Sequence, residues 1–194
     1  NNVKVFGLED SIRASKYPMA PDINICNENI TDTVKKIGSC EAGSGHDQFL
    51  TGIIVQFDLT FTVKAWTEAE RYHFFDFVSS QSTMHCLLKF DLSNQCVSDT
   101  NKEIIAILER IKDEYNAISE DDKDAKKAKW RELVASTPVG FCLGATMVTN
   151  YQQLKTMYKQ RRYHKLKEWH VFCDWVETLP HFLELTGVKK EENK

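Results

Sequence analysis

Glycine and proline are scarce: the 194-residue chain holds eight and four. That scarcity excludes collagen-like and low-complexity architectures. No apolar run approaches the roughly 18 residues that a membrane span requires, so no membrane partner is expected. Charge of one sign is missing too: 25 Lys and Arg stand against 28 Asp and Glu, a formal net charge of −3. A weakly acidic chain is not a dedicated nucleic-acid binder, although a local basic pocket stays open. No C-x-x-C pair joins the six cysteines, Cys26, Cys40, Cys86, Cys96, Cys142 and Cys173. They read as reduced thiols of a cytoplasmic protein. Asn1–Asp10 carries no basic stretch leading into an apolar one, so no secretory signal is read there. Phosphate-loop, dinucleotide-loop, zincin and G-x-S-x-G motifs are all absent. Cys40 and His46 lack a second pair at metal-site spacing, so no metal is assigned.

What is present is enough for a core. Apolar residues make up 42% and charged residues 27% of the chain, and the length fits one domain. Ile53, Val55, Phe57, Leu59, Phe61 and Val63 alternate with Ile54, Gln56, Asp58, Thr60 and Thr62, which predicts a long half-buried strand. Gln56 and Asp58 make its second face wet or part of a site. A strand of this kind belongs to a mixed or antiparallel sheet, so the fold class is α+β, a sheet packed by helices in a single domain over 1–187. Thr67 and Glu70 form a capping-box pattern, and the aromatic stretch Ala69–Val78 predicts a central helix ending at Ser79–Thr83. Residues 100–135 read as a charged helical hairpin, with Ile104, Ile107, Leu108 and Ile111 at helical spacing. Pro138 closes it, and Val139–Val148 reads as a second strand. Asn150 is a helix N-cap followed by the inner stripe Tyr151, Leu154, Met157 and Tyr158. Leu166–Glu177 is a further helix through Trp169, Phe172, Cys173 and Val176, stopped by Pro180. Residues 188–194 read as a mobile charged tail.

Three segments hold candidate chemistry. In Gly43-Ser44-Gly45-His46, the glycines let backbone N–H groups turn toward an anion or a cofactor edge; an ordinary loop is the alternative. The run Ser79-Ser80-Gln81-Ser82-Thr83 offers hydroxyl and amide groups to a polar ligand, or simply caps a helix end. Arg161 and Arg162 at a helix C-terminus either complement the helix dipole or clamp a phosphate or carboxylate.

Together these segments resemble the flavin-dependent thymidylate synthases. Ser44-Gly45-His46 precedes the long strand, as the family's Ser-Gly-His stretch does. Tyr72-His73-Phe74 through Gln81-Ser82-Thr83-Met84-His85 lies at the spacing of the family's Arg-His-Arg-x-x-Ser-x-Asn-x-x-Ser-x-Arg-Tyr motif. Asn150, Leu154 and Arg161 match the third segment, with Trp169 in the next helix. Arg131 resembles the arginine ahead of the family's Leu-Pro turn, and Ile12-Arg13-Ala14-Ser15 its N-terminal segment. The chain departs from the pattern where it matters electrostatically. Tyr72 and Phe74 replace both arginines that flank the histidine, Met84-His85 replaces Arg-Tyr, and the family's Glu-His pair falls at Thr51-Gly52. Each lost bidentate arginine removes a charge-assisted contact of about 1.5–3 kcal/mol.

The resemblance implies reductive methylation of dUMP, with FAD as cofactor and NADPH and methylenetetrahydrofolate as co-substrates. Arg161 and Ser82 are then the catalytic candidates. Ser80, Gln81, Arg131 and Arg161 would bind the pyrimidine nucleotide, and His46, His73, Ser79 and Asn150 would face the flavin. It also implies a homotetramer. The alternative is a catalytically inactive nucleotide-binding or structural protein on the same scaffold.

Overall fold

A computed structural model describes residues 1–190. In chain order the elements are β1 (Lys4–Phe6), α1 (Leu8–Ala14), α2 (Asp32–Gly38), β2 (Ile54–Thr62), α3 (Val63–Ala69), β3 (Phe75–Ser80), α4 (Thr83–Cys86), α5 (Lys102–Ala117), α6 (Lys123–Ser136), β4 (Cys142–Asn150), α7 (Tyr151–Arg161), α8 (Lys167–Val176) and α9 (Phe182–Thr186). The four strands form one sheet in the order β1-β2-β4-β3. β1 runs antiparallel to β2, with Val5 opposite Val55. Tyr151 N–H donates to Ile53 O at one end of the β2/β4 pair and Val63 N–H to Phe141 O at the other, so β4 also opposes β2. The fold is α+β with an antiparallel sheet, as the strand periodicity predicts.

Among the described residues the chain separates into two compact units. The first holds Asn1–Asp58, Ala69–Val78 and the chain from Thr146 onward; the second holds Leu59–Glu68 and Ser79–Ala145.

In the first unit the alternation becomes burial directly: Ile53, Val55 and Phe57 are all in the core. Phe57 packs 4.3 Å from the Trp175 ring, and Phe172 meets Phe75 edge-on at 6.0 Å. The α7 stripe of Tyr151, Leu154, Met157 and Tyr158 and the α8 stripe of Trp169, Phe172, Cys173 and Val176 are buried as well. Asn150 caps α7, its Oδ1 accepting from Gln153 N–H at 2.8 Å. Asp58, on the second face of β2, accepts from Thr146 Oγ1 at 2.7 Å and from the Asn2 amide, and these bonds hold its carboxyl below the usual range. It is therefore part of the strand pairing. Helix α9 was not read from the sequence. It docks on bare backbone, because a Cβ on Gly38 would lie 2.0 Å from Leu185 O. Val188, expected in a mobile tail, is buried; residues 191–194 of that tail lie outside the described residues.

The second unit is built around Leu87, Leu92, Leu108, Ile111, Leu133 and Phe141. Helices α5 and α6 form the expected hairpin, capped by Asn101 on Glu103 N–H at 2.8 Å and by Asp122 on Ala125 N–H at 3.0 Å. Ile111 and Leu108 face inward, whereas Ile104 and Ile107 are exposed, so the stripe is buried only along part of its length. Trp66 Nε1 donates to Leu143 O at 3.0 Å.

The predicted helix over Ala69–Val78 is a correction. The helix lies earlier, at Val63–Ala69, and Phe75–Ser80 is a strand. Thr62 Oγ1 accepts from Ala65 N–H at 3.0 Å and starts that helix, while Thr67 Oγ1 donates back to Lys64 O at 2.7 Å instead of capping. Phe75, Phe77 and Val78 have the β-branched and aromatic character of a strand, and the strand's start is tied by Thr149 Oγ1 donating to Phe74 O. Tertiary pairing decides the state of a stretch whose aromatic content fits either element.

Candidate functional site

A polar and aromatic arrangement in the first unit surrounds Arg161, the last residue of α7. Its Nε donates to the Tyr72 hydroxyl at 2.7 Å, and that hydroxyl donates to Gln160 Oε1 at 3.0 Å. The guanidinium carbon lies 4.7 Å from the Trp169 ring centre and 5.4 Å from that of Tyr72. Tyr72 and Trp169 meet edge-on at 6.4 Å, and His164 stands edge-on to Trp169 at 6.3 Å. Flat aromatic walls and a hydroxyl acceptor thus fix the plane of the guanidinium. A planar cation held in this way suits stabilising negative charge on a planar ligand.

Its neighbour does different work. Arg162 pairs with Asp174 and lies 3.8 Å from Glu177, over the Tyr158 ring. The hydrogen bond to Asp174 raises its pKa further. Arg162 therefore ties the end of α7 to α8, and its guanidinium is already engaged by carboxylates.

The other expected site residues of the first unit lie on other segments of the chain or at the far end of α7. His73 is exposed in the turn after Tyr72, and His46 is exposed in the glycine-containing segment. Gly43 and Gly45 have φ of 89° and 81°, and a Cβ on either would meet open space. Asn150 is 6% exposed, with its carbonyl oxygen engaged as the cap of α7. In the second unit, Ser79 and Ser80 are exposed on β3 rather than in a loop. Gln81 joins β3 to β4: its N–H donates to Gly144 O and its Oε1 accepts from Gly144 N–H, both at 2.8 Å. Ser82 is half-buried at the start of α4, without a side-chain capping bond. Arg131 is exposed on α6.

Two charged residues carry more structure than the sequence reading gave them. Lys155 and Asp47 are wholly buried and paired at 2.9 Å. Lys155 Nζ also donates to Gly38 O at 2.8 Å and to Cys40 O, and Asp47 Oδ1 accepts from Gln152 Nε2 at 2.9 Å. The signal was available. Residues 151, 154, 155 and 158 share one helical face, so the 3.6-residue period places Lys155 in the buried stripe.

Among the described residues no cysteine forms a disulfide, and burial pushes the Cys173 thiol up to about 12. Among the described residues no group of three or more His, Cys, Asp or Glu could hold a metal ion, and no helix is long and apolar enough to cross a membrane.

No sequence-family model matches the chain, and no curated protein sequence matches it. Solved structures do. The flavin-dependent thymidylate synthase ThyX from Helicobacter pylori, complexed with FAD and dUMP, superposes with a TM-score of 0.68 at 15% identity, covering 96% of this chain and 97% of that one. A second structure of Thymidylate Synthase X from Helicobacter pylori with FAD and dUMP gives a TM-score of 0.69 at 15% identity, with 95% of each chain covered. The chain thus has the fold of the flavin-dependent thymidylate synthases.

Proposed function

We propose that this chain is a diverged flavin-dependent thymidylate synthase-like protein that binds a pyrimidine nucleotide, dUMP in the first instance, beside FAD. The observation that carries the reading is Arg161, a guanidinium held between the Tyr72 and Trp169 rings at the position the family resemblance assigns to the pyrimidine contact. The solved structures of the same fold hold FAD and dUMP, which supports both ligands.

The first unit's donors fit a flavin. Exposed His46 and His73 and the open Gly43–Gly45 backbone offer hydrogen bonds, and Phe74, 59% exposed, offers a stacking face. Asn150 is the poorest of the assigned flavin contacts, since its carbonyl oxygen already caps α7. FAD, when bound, supplies the redox chemistry, with NADPH as electron source and methylenetetrahydrofolate as one-carbon source. The protein's own part is binding and polarisation. Arg161 stabilises negative charge on the pyrimidine, and Tyr72 keeps the guanidinium oriented. From the second unit, Ser80, Gln81 and Ser82 are assigned to nucleotide contacts, Arg131 to the phosphate and Ser79 to the flavin. Gln81 is the weakest of these because its side chain already serves Gly144. Homo-oligomerisation, a tetramer by resemblance, is part of the reading; exposed Phe77 and Val78 on the edge strand β3 support it.

A second reading is favoured by Tyr72 and Phe74. With aromatic rings in place of two motif arginines, the scaffold binds nucleotide without turnover. One series separates the two. Purified protein is incubated with FAD and desalted, and its flavin absorbance is read; dUMP is titrated by calorimetry; NADPH consumption is followed with all substrates present. Flavin retention, dUMP binding and turnover support the enzyme. Nucleotide binding without flavin supports the second reading, and binding of neither ligand sinks both.

A further inference from the structure

The segment Glu41–His46 is exposed throughout, yet both of its ends converge on one buried side chain. It leaves α2 through Gly38 and Cys40, whose carbonyls accept from Lys155 Nζ, and it ends at Asp47, whose carboxylate pairs with the same ammonium. Gln152, one turn earlier on α7, donates to the other carboxylate oxygen at 2.9 Å. Between these anchors the backbone is held by little else: Ser44 N–H donates to Glu41 O and Gln48 N–H to Gly45 O. An ammonium with three acceptors and a carboxylate with two donors are mutually satisfied, which is what a fully buried ion pair requires. The anchoring helix is α7, which carries Asn150 at its start and Arg161 at its end.

We propose that the Lys155–Asp47 pair is a positioning device that presents the Glu41–His46 segment to a flavin. Neither residue touches the ligand. The pair acts through the segment it pins, whose glycine backbone and His46 are the groups on offer. Pre-organising an otherwise open loop removes the ordering cost that the ligand would otherwise meet. The inference rests on the flavin reading above, and it adds that cofactor affinity depends on a buried charge that contributes no ligand contact.

The test compares the full chain with the double variant Lys155→Met/Asp47→Leu, an apolar replacement of a kind buried pairs tolerate. The first readout uses FAD-free protein: the rate of cleavage after Glu41 by a glutamate-specific protease, with products mapped by mass. The second is FAD affinity by flavin fluorescence. The expected result is native circular dichroism, cleavage faster by at least about tenfold and FAD binding weaker by at least about tenfold. Unchanged cleavage overturns the pinning. Faster cleavage with unchanged FAD affinity overturns the positioning role and leaves the pair merely structural. If the double variant does not fold, Asp47→Asn, which keeps the shape and loses the charge, is put through both readouts with the same expected directions and the same overturning results. If the unaltered protein takes up no flavin, the function proposed above fails and positioning for flavin goes with it; the cleavage arm then still decides whether the pair pins the segment.

Discussion

Helices α6 and α7 are both rich in lysine and arginine, and their cations do opposite things. On α6, Lys126 pairs with Glu120, and Lys129 reaches Glu114 at 2.8 Å and Glu132 at 2.7 Å, each with a carboxylate that is at least 40% exposed. On α7, Lys155 is fully buried and Arg161 lies against aromatic rings, and Arg162, just past the helix end, bridges to α8. The difference is dielectric. A surface pair is screened by water and salt, whereas a buried one carries a desolvation cost that only complete pairing offsets. Residue type alone therefore says little about a cation's role, and its place on the helical period says much more.

The largest effect should come from breaking the buried pair on one side. Lys155→Met alone leaves the Asp47 carboxylate buried without its cation and should lower stability by about 3–5 kcal/mol in urea unfolding. Recovery of most of that loss in the double variant would sharpen the contrast; a loss below about 1 kcal/mol would erase it. In the hairpin it is the apolar side that matters: Leu133→Ala, in the core beneath α6, should cost about 2–5 kcal/mol in the same measurement. Arg161→Ala should weaken dUMP binding by at least about 1.5 kcal/mol in calorimetry, and an unchanged affinity would remove Arg161 from the site.

The smallest effect should be at Lys129. The hydrogen bond to Lys129 holds Glu114 below its usual range, and the hydrogen bond to Glu114 raises Lys129. A lowered carboxylate contributes stability above its unfolded pKa and loses it as pH falls through the folded value. A raised ammonium contributes below its unfolded pKa and loses it as pH rises through the folded value. The pair should therefore act at neutral pH and fade at both acidic and strongly alkaline pH. Lys129→Ala should shift the melting temperature slightly at neutral pH and low salt, and not at all in high salt. A shift that survives high salt would show the pair to be less exposed than the structure has it.

Much of this was legible in the sequence. The period-2 run gave β2, the helical stripes gave α5, α7 and α8, and Asn150 is the cap it looked like. These signals are local, and packing agreed with them. The stretch 69–78 was not legible, because aromatic residues satisfy a buried helix and a strand alike, and the choice is made by pairing with a strand far along the chain. The role of Tyr72 was hidden for the same reason. It stands out in sequence only as the residue that replaces an arginine, and its hydroxyl acquires meaning from Arg161 and Gln160, distant in the chain. Lys155 was legible in principle, because the helical period places it on the buried face of α7.

The burial of Cys173 has a practical consequence. Thiol reagents attack the thiolate, and a thiol that burial in a closed core pushes up to about 12 offers almost none. Alkylation at this one sulfur should therefore wait for α8 to come away from its neighbours. Mass-resolved labelling would read the opening of the aromatic core at a native residue, with no substitution introduced.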